Sequence, residues 1–205
     1  MTRSTAVAAL TLLSAIGAAF AAPPAAREQG DWPCRQIKVT DLALAAIWSG
    51  PSIEAASKAW RDDAVVSELV PRLAARRTPV ETVEKLISEF AQSADPARKE
   101  RLTLLFAGIY DKLDSERREV IAGLDRYGHA QKDIAERLRE QTQKLREAQD
   151  AHADAAKLKE LTDALQWEMR VFEERRKAVA FVCETPALIE QRLGALARIV
   201  LGAMD

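Results

Sequence analysis

The chain carries two cysteines, Cys34 and Cys183, and two histidines, His129 and His152. These are the side chains best suited to hold a metal, move electrons or attack a substrate, so they bound the chemistry open to it. No Cys-x-x-Cys is present, and a thioredoxin-like redox role has no support. Two cysteines far apart in a chain that begins like an exported protein read instead as one disulfide, Cys34 with Cys183. Closing a loop of about 150 residues would contribute on the order of 5 kcal/mol by loss of chain entropy in the unfolded state.

His152 lies between Asp150 and Asp154. Asp-x-His-x-Asp has the donor set of a divalent-metal site, but on continuous helix these side chains point in different directions, and a solvated surface is the expectation. Neither His-x-x-x-His nor Glu-x-x-His occurs, the spacings that align ligands along a helix. A Gly-x-Ser-x-Gly elbow is also missing, and the eight glycines are too scattered to cradle phosphate. Carboxylate pairs abound, yet on charged helix they make a solvated face. No catalytic residue, cofactor site or metal site is assigned.

The elements that would position these residues are helical. Met1 to Ala21 has the form of an export signal: Arg3, a short apolar core, then Ala19-Phe20-Ala21 as the small-x-small end, with cleavage expected between Ala21 and Ala22. The apolar core is too short to anchor in a bilayer, and no transmembrane span is expected in the mature chain. Thirty Lys and Arg against 31 Asp and Glu give a net charge of −1, without the basic excess that nucleic-acid binding needs. A periplasmic or secreted protein is the expectation. Residues 22–39 read as an extended N-terminal segment and 40–95 as a body of short helices. Asp41, Asp62, Asp63 and Thr78 are candidate caps, and Pro71 a kink or break. Trp48 and Trp60 read as core anchors. So do Val65, Val66, Leu69 and Leu73, packed on the foot of the long helix.

Between Pro96 and Pro186 runs a stretch dense in Glu, Arg, Lys, Gln, Ala and Leu with no proline. Leu102, Leu105, Phe106, Ile109 and Leu113 form a broad apolar stripe. From Val120 the pattern narrows to steps of four and three through Leu124, Tyr127, Gln131, Ile134, Leu138, Gln141 and Leu145, a coiled-coil seam. A second phase runs through Leu158, Leu161, Leu165, Phe172, Val179 and Val182. The register slips between 149 and 157, so residues 96–182 are expected to form a hairpin with its tip there. The alternative is one unbroken helix of about 135 Å, at about 1.5 Å per residue, pairing with a second chain.

Residues 183–205 read as a separate amphipathic helix after Pro186. It is expected to pack on the body and cover a second apolar row, Ala164, Trp167, Val171 and Ala178. The fold class is therefore all-α: a helical body with a protruding antiparallel, coiled-coil-like hairpin and one disulfide. The functional expectation is a non-enzymatic exported interaction protein, serving another envelope protein as adaptor, accessory subunit or holdase. Arg137, Lys144, His152 and Lys159 form the partner-binding arm. A self-associating structural coiled coil, as a homodimer, is the first alternative. A small metal carrier or enzyme using His152 and nearby acids is the second.

Overall fold

A computed structural model describes residues 30–205. The export signal expected over residues 1–21, its Ala21–Ala22 cleavage point and residues 22–29 lie outside the described residues. Of those described, 76% are helical and none forms a strand. The helices are α1 (Leu44–Ile47), α2 (Ala56–Ala59), α3 (Ala64–Ala74), α4 (Val80–Ser93), α5 (Arg98–Asp150) and α6 (Ala155–Gly202). The fold is the all-α body, hairpin and disulfide that the residue pattern implies.

The hairpin turns where the register slips. Helix α5 stops at Asp150, His152 takes a left-handed backbone with φ 53°, and Asp154 accepts from the Lys157 N–H at 2.8 Å to open α6. Glycine usually fills the left-handed position after a helix. Histidine is among the residues that tolerate it, so the turn forms without glycine or proline. At about 1.5 Å per residue the 53 residues of α5 run for about 80 Å and the 48 of α6 for about 72 Å.

Around the foot of this pair the short helices build the core. Phe106 of α5 stacks on Trp48 with ring centroids 3.8 Å apart, and Leu102, Leu105, Ile109 and Leu113 are fully enclosed. Val66, Leu69, Val70 and Leu73 of α3 and Val83, Ile87 and Phe90 of α4 close over them, while Leu193, Leu196 and Val200 enter from α6. Trp60 is buried as well. Val65, expected in this core, is 54% exposed: it lies beside Val66 at the start of α3 and points away.

Local details depart from the caps and breaks expected. Asp63 caps α3, accepting from the N–H groups of both Val65 and Val66 at 3.0 Å. Pro71 neither divides nor ends α3. Thr78 does not cap α4; its hydroxyl turns back and donates to the Arg72 carbonyl at 2.7 Å, satisfying an acceptor near the end of α3. Asp41 accepts from Thr40 rather than capping α1.

The largest departure is at Pro186. No separate terminal helix begins there, because α6 passes through the proline to Gly202. A mid-helix proline removes one backbone hydrogen bond and costs about 3 kcal/mol. Burial of Ile189, Leu193, Leu196, Ala197 and Val200 on the far side holds the helix on course. A continuous α6 cannot fold back on itself, so Trp167 stays 62% exposed rather than covered.

Candidate interaction surface

Three regions carry the polar and apolar features available for recognition: a strap at the root of the arm, the arm itself and the outward face of α6.

The strap begins at Gly30 and runs along the α5–α6 pair. Cys34 and Cys183 are bonded with Cα atoms 5.6 Å apart, so the disulfide ties the strap to α6. Trp32 Nε1 donates to the Gln36 carbonyl at 2.8 Å, and Gln36 Nε2 donates to the Cys183 carbonyl at 2.7 Å. Lys38 Nζ reaches Asp125 of α5 at 2.6 Å. Arg117, only 1% exposed, directs Nε to Glu190 at 2.6 Å and its terminal nitrogens to the Thr40 and Val39 carbonyls at 3.0 and 2.7 Å. A buried guanidinium is tolerated because its charge meets a carboxylate and its remaining donors meet backbone oxygens.

At the strap's start Asp31 Oδ2 lies 2.7 Å from His129 Nδ1, and Lys132 Nζ is 3.3 Å from Oδ1. The bond to His129 holds the Asp31 carboxyl below its ordinary range, with Lys132 assisting against partial desolvation. His129 faces outward, as its place off the seam implies, but it is engaged by the strap. Tyr127, on the seam, has its hydroxyl pushed upward in pKa by burial, partly offset by Arg175.

Beyond the strap the arm continues as two helices in contact through a narrow seam. Ile134 is buried, while Leu138, Gln141, Leu145 and Ala148 are half-buried against α6. Polar seam positions are used in cross-helix bonds. Gln131 Nε2 donates to the Phe172 carbonyl at 3.0 Å, and Gln141 donates to Glu168. Glu168 also meets Arg137 at 2.9 Å, so Arg137 binds the two helices together as well as facing solvent. Lys144 is exposed on α5, His152 sits exposed at the tip, and Lys159 pairs with Asp163 at 2.5 Å along α6. The four residues assigned to the arm therefore spread along it and do not converge on one site. Among the described residues no group of three or more His, Cys, Asp or Glu is arranged to hold a metal ion, and no helix is long and apolar enough to cross a membrane.

The third region is visible only once α6 is known to be continuous. Val182, expected on the inner seam, is 45% exposed, and Cys183 takes the inward position. An α-helix turns once in about 3.6 residues, so a strict seven-residue count drifts off the contact line over successive heptads. The outward face carries its own row in steps of three and four: Ala164, Trp167, Val171, Glu174, Ala178, Phe181, Thr185 and Leu188. Phe181 is 78% and Leu188 43% exposed. The first part of this row, Ala164, Trp167, Val171 and Ala178, is apparent in the sequence, but the terminal segment expected to cover it continues α6 instead.

Comparison with protein-family models, curated proteins and solved structures finds no match for this chain.

Proposed function

We propose that this chain is an exported, non-enzymatic helical interaction protein that serves another envelope protein as adaptor, accessory subunit or holdase. The observation carrying this reading is the arm. Past the strap, α5 and α6 touch chiefly each other, and apart from the apolar row on α6 their remaining surface is dominated by charged side chains held out from the body. Such an element adds little to folding beyond its own seam, and its reach and alternating charge suit capture and orientation of a partner. The Cys34–Cys183 bond supports export, since disulfides persist in oxidising compartments.

Docking engages Arg137 and Lys144 on α5 and His152 and Lys159 at the tip. The test places a photo-crosslinking residue at Lys144, His152 or Lys159, and at body positions such as Glu84, in cells making the full chain. The arm positions are expected to trap one shared protein that the body positions do not. Removal of residues 137–159 behind a short turn is expected to abolish that capture while leaving the body folded. Equal capture from body and arm, or capture that survives the deletion, overturns the reading.

A further inference from the structure

The row on α6 has the 3.5-residue spacing of a coiled-coil seam; it is exposed except at the half-buried Val171 and Thr185, and no partner for it lies among the described residues. It ends at Leu188, where the outward face passes under the body: Arg192, on the same face, donates to the Leu73 carbonyl at 2.7 Å. The row is therefore bounded by the fold on one side and by the arm's tip on the other. Over its 24-residue span it is about 36 Å long at about 1.5 Å per residue.

Its residue order is self-complementary about the midpoint, residue 176. Laid antiparallel on a second copy about a two-fold axis, each large side chain meets a small one. Leu188 faces Ala164 of the second copy and Trp167 faces Thr185. Val171 and Phe181 meet across the axis, and Glu174 faces Ala178. Antiparallel pairing also brings Arg170 beside Glu184 of the second copy, twice. Among the described residues neither has an ion-pair partner in its own chain; Arg170 only lies over the Trp167 ring, 5.4 Å from its centroid. Arg175 and Lys177 approach their own counterparts near the axis, where Glu174 of both copies lies among them. The parallel alternative stacks Glu174 on Glu174 and sets Arg170 against Arg175, with no compensating pair.

We propose that the outward face of α6 is a two-fold interface with a second copy of this chain, antiparallel and centred on residue 176. The Trp167 and Phe181 rings of both copies, 62% and 78% exposed in the single chain, would alone contribute about 400–700 Å², against about 1,200–2,000 Å² for a stable interface. The remaining layers and the rim pairs supply the rest. This assignment is independent of the docking role: Arg137 and Lys144 lie on α5, and His152 and Lys159 lie at the tip, before the row begins at Ala164.

Sedimentation equilibrium on the disulfide-bonded chain tests it. The expected result is a monomer–dimer equilibrium at micromolar concentration that weakens more than about tenfold in Trp167→Lys/Phe181→Lys, as loss of central aromatic anchors does. Helical circular dichroism of that variant stays unchanged, because both side chains are exposed. Arg170→Glu and Glu184→Arg each weaken the dimer, and the two together restore it, which only the antiparallel register predicts. A monomer throughout, a dimer indifferent to Trp167→Lys/Phe181→Lys, or failure of the charge swap to restore association each overturns the proposal.

Discussion

Gln36 Nε2 donates a 2.7 Å hydrogen bond to the carbonyl of Cys183, three residues before the proline inside α6. Proline at 186 has no N–H for Val182 and crowds the carbonyls of the preceding turn. The strap thus supplies a donor where the helix is weakened, beside the disulfide that brings it there. Gln36→Ala is expected to cost about 1 kcal/mol, the usual net worth of one such bond. In a Pro186→Ala background the cost should be unchanged, because the carbonyl that Pro186 leaves without a helical donor is that of Val182 and not the Cys183 carbonyl that Gln36 serves. A double-mutant cycle by urea denaturation measures the coupling.

Reduction of Cys34–Cys183 releases a loop of 149 residues. The expected loss is on the order of 5 kcal/mol if it acts through the unfolded chain. Arg117, Lys38 and Gln36 would still hold the strap to α5 and α6, so the far-ultraviolet spectrum of the reduced protein should stay native. Urea midpoints with and without reductant, or in Cys34→Ser/Cys183→Ser, check both expectations.

Gly128 and Gly123 lie on the same helix with opposite consequences. A Cβ on Gly128 would run into the Asp31 carbonyl oxygen, so the strap crosses α5 only because no side chain is there. Gly128→Ala should lift the strap's start and cost about 1–3 kcal/mol, as overpacking does. At Gly123 the nearest atom is 3.9 Å away, at the end of the Arg126 side chain. Gly123→Ala should therefore stabilise by about 0.5–1 kcal/mol. Thermal unfolding of the two variants side by side gives the sign of each.

Asp63 joins the α3 cap to α5, with Oδ2 2.9 Å from Arg101 Nη2. Burial alone would raise its pKa, but the Val66 N–H, the Arg101 guanidinium and the Val65 N–H together hold the carboxyl below its ordinary value. The folded pKa thus lies below the unfolded one. The stabilisation is fully present above the ordinary aspartate value of about 3.9 and is lost as pH falls through the folded value. Asp63→Asn keeps the cap without the titration, so its stability difference from wild type should shrink below about pH 4. Asp63→Ala should lose about 1 kcal/mol more than Asp63→Asn at neutral pH through loss of the cap.

Much of the architecture was legible because its causes are local. The four-and-three spacing from Val120 to Leu145 and the register slip near residue 150 lie within a few turns of one another. Periodicity places the expected tip there, and the left-handed His152 with the Asp154 cap is where the chain turns. The disulfide followed from arithmetic on two cysteines. Pro186 misled for the same reason: locally a proline argues for a helix end, and only burial of Ile189, Leu193 and Val200 in a core built by distant residues outweighs it. The expected cover over Trp167 rested on that misplaced break.

The sequence by itself determined that the described chain is helical, and it made a reversal near residue 150 and a Cys34–Cys183 bond the expectation over the alternatives. These are properties of neighbours a turn or two apart, or of residues with no alternative partner. Tertiary structure decided what depends on contacts between residues 73 to 147 apart in the chain. It set where the strap lies against Gly128, which carbonyl Gln36 serves, which carboxylate Arg117 finds, and which face of α6 is left bare. Those outcomes turn on burial and hydrogen-bond geometry between segments whose mutual placement exists only once the whole chain has packed.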